Sequence, residues 1–89
     1  MEKYKLIVTV PSSIEEYDDM LNKFLAKISY DKHVYLPNIA PPPRREIHFR
    51  NMSEFQVNVA KSWFKQKYAD HPDRKVCSFH VMSEMGDVV

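Results

Sequence analysis

The chain has 89 residues, of which 44% are hydrophobic and 28% charged, and its formal charge at pH 7 is +1. This length and composition predict one globular domain with its own core and argue against disorder. The single glycine, Gly86, excludes a P-loop, a dinucleotide-binding fingerprint and a nucleophile elbow, and the single cysteine, Cys77, excludes an internal disulfide.

Residues 4–10 predict the first strand, because apolar side chains alternate with more polar ones. A helix follows to about residue 28, since its apolar residues recur at helical spacing. Its start is predicted by a capping box, in which a hydroxyl and a carboxylate each satisfy a free backbone N–H. The pairs available for this box are Ser12 or Ser13 with Glu15 or Glu16.

The middle of the chain predicts two strands joined by a stiff connection. Residues 33–36 form the first of them, with Val34 and Leu36 pointing towards the core. Four prolines between residues 37 and 43 exclude a helix or a central strand there. We interpret that segment as an extended hairpin loop, the alternative being a docking motif for a proline-recognition domain. Residues 45–50 predict the next strand.

The second helix, residues 53–69, carries more apolar surface than one packing face needs. Ser53 and Gln56 predict a capping box at its start. One apolar stripe comprises Met52, Phe55, Val59 and Trp63, and another comprises Val57, Phe64 and Tyr68. Either strands and loops cover both stripes, or the second stripe contacts a partner protein.

Residues 75–82 predict a fourth strand, which gives the order βαββαβ of a ferredoxin-like α+β sandwich. Right-handed crossovers place two helices on one face of a four-stranded antiparallel sheet, with the first and third strands central. The rival is a different α+β arrangement of the same elements. We expect a single domain over residues 1–82 and a flexible C-terminal tail over residues 83–89.

The other sheet face is left open in this fold, and its predicted composition is polar and basic. The side chains assigned to it are Lys3, Lys5, Ile7, Thr9, His33, Tyr35, Glu46, His48, Arg50, Ser78 and His80. This face suggests RNA binding, although the strands lack the aromatic pattern of an RNA-recognition motif. The RNA contacts would be Lys5, Tyr35, His48 and Arg50.

The sequence does not predict a catalytic or metal site. No histidine pair has the short spacing of zinc motifs. Glu46 and His48 are the only acid–base pair on the open face, and Cys77 is predicted to face inward as an inert thiol. We therefore expect neither enzymatic activity nor a cofactor. We also expect a soluble, cytoplasmic protein with no membrane association, because no apolar run approaches the roughly 20 residues that cross a bilayer.

The leading hypothesis is a small non-enzymatic regulator or inhibitor that binds a protein target or itself as a homodimer. Compact proteins of this kind are used by viruses and toxin–antitoxin loci to block larger targets. The contact would comprise Val57, Phe64, Tyr68, Pro41, Arg44 and Arg45. Phe64→Asp is then expected to abolish association and to leave a folded monomer. The alternative is RNA binding by the open face, with RNA able to bridge the protein to its target.

Overall fold

A computed structural model describes residues 2–37 and 41–84. It confirms the predicted βαββαβ order, and the sheet is antiparallel with strand order β2-β3-β1-β4. The elements are β1 (Tyr4–Pro11), α1 (Glu15–Leu25), β2 (Lys32–Leu36), β3 (Arg44–Met52), α2 (Glu54–Lys67) and β4 (Ser78–Ser83), with a 3₁₀ turn at Arg74–Val76 before β4.

The two central strands supply the floor of the core. Leu6 lies opposite Phe49 and Val8 lies opposite Ile47, and all four side chains are fully buried. Residues from both helices join this cluster, so both helices cover the same sheet face. Burying these apolar side chains is the main favourable term in the folding free energy.

The stripe of α2 that was predicted to contact a partner is instead the part of the helix that packs on the sheet. Val57, Phe64 and Tyr68 are 5%, 0% and 1% exposed, so this prediction is wrong. The Phe64 ring packs edge-on against Phe49 of β3 and Phe79 of β4, each with a centroid distance of 6.4 Å. Phe64→Asp would therefore bury a carboxylate in the core and would not leave a folded monomer.

The orientation of the edge strand β2 is also the reverse of the prediction. Tyr35 lies opposite Arg45, on the sheet side that the helices cover, and Val34 lies opposite Glu46 on the open side. Because the side-chain period of a strand is two, a one-residue change of register exchanges its two faces. A hydrogen bond of 2.7 Å from the Asp31 N–H to the His48 carbonyl fixes the entry into this strand.

The two helix starts differ. The capping box of α2 is confirmed, because the Ser53 hydroxyl accepts from the Gln56 N–H at 3.1 Å and the Gln56 amide oxygen accepts from the Ser53 N–H at 2.8 Å. The box predicted for α1 is wrong, since its N-cap is Ile14 and has no side-chain cap. The hydroxyls of Ser12 and Ser13 donate instead to more distant carboxylates, those of Asp18 and Asp73.

The last strand extends further than predicted. Ser83 lies opposite Tyr4, and the Glu84 N–H donates to the Lys3 carbonyl at 3.0 Å, so the predicted tail begins inside the sheet. The rest of that tail and the centre of the proline segment lie outside the described residues. Within residues 2–37 and 41–84, neither helix is long and apolar enough to cross a membrane.

Candidate protein-binding surface

An exposed apolar surface lies between α1 and α2. Phe55 and Val59 are 75% and 52% exposed, and they occupy successive turns of α2. On the α1 side, the Phe24 ring stacks on the Trp63 ring with centroids 3.8 Å apart. We name this surface the helix groove. Its apolar lining consists of Met20, Phe24, Ile28, Phe55, Val59 and Trp63.

The groove exists because α2 carries two apolar stripes on opposite sides. The buried stripe includes Ala60, whose small side chain lets the helix approach the sheet closely. When that stripe is buried, the stripe with Phe55 and Val59 must face away from the sheet. Phe24 marks the border, since its ring contacts both the exposed side at Trp63 and the core at Phe64, 5.7 Å away.

The helix groove widens into a pocket of about 590 Å³ at each end. At the end nearest the start of α2, the charged residues are Lys27 and Arg50, and no acidic side chain lines the pocket. At the other end, the acidic residues are Glu16 and Asp19, and the basic ones are Lys23, Lys27 and Lys67.

Arg45 belongs to a different part of the molecule from the groove. Its Nε donates to the Ser12 hydroxyl at 3.1 Å and its Nη1 donates to the Asn22 amide oxygen at 3.0 Å. Its Nη2 lies 3.7 Å from a carboxylate oxygen of Asp18. These contacts tie β3 to α1 beneath the helices, so Arg45 has a structural role.

The other members of the predicted protein contact lie apart as well. Arg44 lies opposite Leu36 on the open side of the sheet, and its Nε donates to the Pro42 carbonyl at 3.3 Å. Pro41 is exposed in the loop before it. The structure therefore does not bring Pro41 and Arg44 together with the buried stripe of α2, whereas Arg45 interacts electrostatically with Tyr68 of that stripe.

The open sheet face holds two of the four predicted RNA contacts, Lys5 and His48, whereas Tyr35 is on the opposite face. Arg50 lies in the irregular part of β3 between Phe49 and Met52, and it lines the pocket at the start of α2. His48 Nε2 is 2.7 Å from the Glu46 carboxylate. The exposed Arg50 side chain already forms an ion pair, since its Nε donates to the Glu84 carboxylate at 3.4 Å.

Sequence reasoning missed two features of this open face. One row of paired residues crosses all four strands. It consists of Lys32 in β2, His48 in β3, Ile7 in β1 and His80 in β4, so three of its four residues are basic. Val34 and Leu36 add an apolar patch where His33 and Tyr35 were expected. In a strand with apolar or aromatic residues at both parities, alternation alone does not select the buried face.

A buried histidine, His71, follows α2 in the chain and packs beside the buried stripe of that helix. His71 is fully buried, and its Nδ1 accepts the Asp73 backbone N–H at 2.9 Å. The Tyr17 ring packs edge-on against it at 4.5 Å, and the Tyr68 ring lies 5.8 Å away. Burial lowers the pKa of His71 and raises the pKa of the Tyr68 hydroxyl well above its usual range. Both groups are therefore neutral at pH 7.

The thiol and the acid–base pair are on opposite sides of the sheet. Cys77 packs against the core beneath the helices, where burial raises the pKa of its thiol. Glu46 and His48 are on the open side. A base must lie within hydrogen-bonding distance of the nucleophile that it activates, and this pair does not meet that requirement for Cys77. Among the described residues, no three His, Cys, Asp or Glu side chains converge as a metal site.

Comparisons of the chain with protein-family models, with curated proteins and with solved structures found no match. The functional interpretation of the helix groove and of the open sheet face is therefore based on their geometry alone.

Proposed function

We propose that the protein is a small non-enzymatic binding protein that regulates or inhibits a protein target through its helix groove. The observation that carries this proposal is the exposure of Phe55, which is 75%, beside that of Val59. The core of α2 is complete without these side chains, because Val57, Ala60 and Phe64 already pack on the sheet. An exposed apolar surface of this kind is typical of protein contact sites.

The groove is also preorganised for binding. The Phe24–Trp63 stack fixes two aromatic rings on neighbouring helices, and the capping box holds the first turn of α2, from which Phe55 projects. Aromatic side chains that are already held in place lose little conformational entropy on binding, and they often dominate the energy of an interface. The proposal thus keeps the predicted function but moves its contact from the buried stripe to the exposed one.

The test is affinity capture of the tagged protein from its native cell, with and without ribonuclease, followed by identification of the co-purifying molecules. Phe55→Asp should lose a stoichiometric protein partner that survives ribonuclease. Tyr35→Asp is the matched control, because it also replaces an exposed aromatic ring with a carboxylate, on the far edge of the sheet. Equal capture by both variants and the unmodified protein would exclude the groove as the contact.

A second candidate function is RNA binding by the open sheet face. The observation in its favour is the row of Lys32, His48 and His80 across the four strands, with Lys5 on the same face. Recovery of RNA, or loss of the protein partner after ribonuclease, would support it. Its binding should weaken steeply with salt, because neutralised phosphates release counterions. Binding that does not change with salt would exclude it.

A further inference from the structure

The edge strand β4 carries a row of backbone groups that bond to no other strand in the described part of the chain. Its only paired neighbour there is β1. The Glu84 N–H donates to the Lys3 carbonyl, and in an antiparallel pair the residues that exchange hydrogen bonds alternate along each strand. The residues of β4 that bond to β1 are therefore the even-numbered ones. The N–H and C=O groups of Phe79, Val81 and Ser83 point away from the sheet.

The strand β4 also lacks the features that protect an edge from pairing. Charged side chains and prolines usually block an exposed edge. At the opposite edge of the sheet, β2 begins with Lys32 and is followed directly by Pro37. The segment Ser78–Ser83 contains no lysine, arginine, acidic residue, proline or glycine. An extended chain can therefore add to β4 as a fifth strand, through hydrogen bonds with the main chain of Phe79 and Val81.

A pocket of about 360 Å³ lies beside this edge, where α2 faces β4. We name it the edge pocket. Its aromatic lining consists of Phe64, Tyr68 and Phe79, its charged residues are Lys65 and Arg74, and no acidic side chain lines it. Because the side chains of a strand alternate between faces, a peptide added to β4 would direct every second side chain towards this pocket. The edge pocket shares no lining residue with the helix groove, so the two surfaces are separate.

The side of β4 that faces α2 is basic. The ammonium groups of Lys61 and Lys65 lie 5.9 and 5.7 Å from the centroid of the Phe79 ring. No carboxylate within residues 2–37 and 41–84 forms an ion pair with either lysine or with Arg74. These cations therefore favour a strand with acidic side chains on that side. A second copy, paired through its own β4 about a two-fold axis normal to the sheet, would bring the same lysines to the same side, where like charges repel.

We propose that β4 binds an extended acidic peptide segment of a partner protein by strand addition, with the acidic side chains directed towards Lys61, Lys65 and Arg74. The backbone of β4 determines the class of partner. Its outward N–H and C=O groups alternate, as those of a peptide main chain do, whereas phosphate oxygens of a nucleic acid accept hydrogen bonds but donate none to the carbonyls. This site is additional to the helix groove and does not depend on it.

The test is isothermal titration calorimetry of the full chain with a synthetic heptapeptide, Thr-Val-Glu-Val-Glu-Val-Thr, acetylated and amidated at its ends. Both glutamates lie on one side of an extended strand. The peptide should bind with one-to-one stoichiometry, and the same peptide with lysine in place of both glutamates should not bind.

Two N-methylated forms of the peptide test whether its main chain is used. Only alternate residues of an added strand direct their N–H towards β4. Methylation at the central valine and methylation at the glutamate before it should therefore differ, with one form losing about 10-fold or more in affinity and the other binding normally. Equal affinities of the two forms would mean that charge alone attracts the peptide, which contradicts strand addition.

Three variants of the protein locate the site. Lys65→Glu should weaken binding by roughly 10-fold, because it replaces an attraction with a repulsion. Lys67→Glu is the matched control, since it makes the same charge change on α2 in the lining of the helix groove, and it should bind almost unchanged. Val81→Pro removes an N–H that faces away from β1, so it should abolish binding and keep the fold by circular dichroism. The two lysine variants test the site even if Val81→Pro does not fold.

Other occupants of the edge would give different results. No binding of the acidic peptide, or equal weakening by the two lysine variants, would exclude the site. Binding only after removal of residues 85–89 would assign the edge to that segment of the same chain. A dimer in sedimentation equilibrium that Val81→Pro dissociates would assign it to a second copy, and displacement of the peptide by a uridine oligonucleotide would assign it to RNA. Phe55→Asp should bind the peptide normally, so the edge site and the helix groove hold or fail separately.

Discussion

The two apolar stripes of α2 each contain a phenylalanine, and the two rings have opposite surroundings. Phe64 and Phe55 are both phenylalanines on one helix, yet the first is fully buried and the second is 75% exposed. Phe64 contacts rings from β3, β4 and α1, whereas Phe55 borders an open pocket. The same residue type therefore contributes to folding at one position and is available for binding at the other.

The largest expected effect comes from removing the two rings in turn. Phe64→Ala should lower the free energy of unfolding by about 3–5 kcal/mol, because it leaves a cavity between helix and sheet. Phe55→Ala should change it by no more than about 0.5 kcal/mol. Urea denaturation followed by circular dichroism measures both values. Equal losses for the two variants would contradict the assignment of core and contact stripes.

Sequence patterns predicted the fold because its signals are local. Alternation in β1, helical spacing in α1 and α2, and the Ser53–Gln56 capping box each depend on neighbours in the chain. The choice between the two stripes depends instead on contacts of Phe64 with β3 and β4, far away in sequence. Both stripes repeat at helical spacing, so the hydrophobic pattern alone does not decide which is buried.

The same limit applies to the open sheet face. The faces of β1, β3 and β4 were predicted correctly, because Leu6, Phe49 and Phe79 have clear alternation around them. In β2, both alternative faces hold residues that fit a half-buried strand, and pairing with β3 decides between them. Tyr35 therefore does not lie on the open face with the predicted RNA contacts, and Lys32 lies on that face.

The second prediction concerns the pH dependence of the free energy of unfolding, which His71 beyond the end of α2 should influence. Protonation of His71 would place an N–H against the Asp73 N–H and bury a charge beside Tyr17 and Tyr68. Because burial lowers the pKa of His71 in the folded state, the unfolded chain binds the proton at a higher pH. Stability is therefore fully present above about pH 6.5 and falls as the pH drops below it, by up to about 1.4 kcal/mol per pH unit.

Two histidine variants test this pH dependence. His71→Asn keeps an acceptor near the position of Nδ1 and should flatten the fall in unfolding free energy between pH 7 and 5. A residual slope should remain, because burial and the nearby Arg45 also lower the pKa of His33. His80→Asn, at an exposed position, should keep the original slope. An unchanged slope in His71→Asn would exclude His71 as its source.

The smallest effect is expected at the start of α2, where the two stripes depend on one cap. Ser53→Ala removes the hydroxyl that accepts the Gln56 N–H and should lower the free energy of unfolding by about 1 kcal/mol. Ser62→Ala is the control, since an exposed mid-helix alanine should cost nothing or stabilise slightly.

The buried stripe begins one turn after the cap, at Val57, while Phe55 lies in the turn that the cap holds. Ser53→Ala should therefore weaken binding of a protein target by the groove more than its small effect on folding suggests, and affinity capture well below the unfolding transition separates the two. Association that remains unchanged would mean that packing around Met52 and Val57 is enough to position Phe55 without the cap.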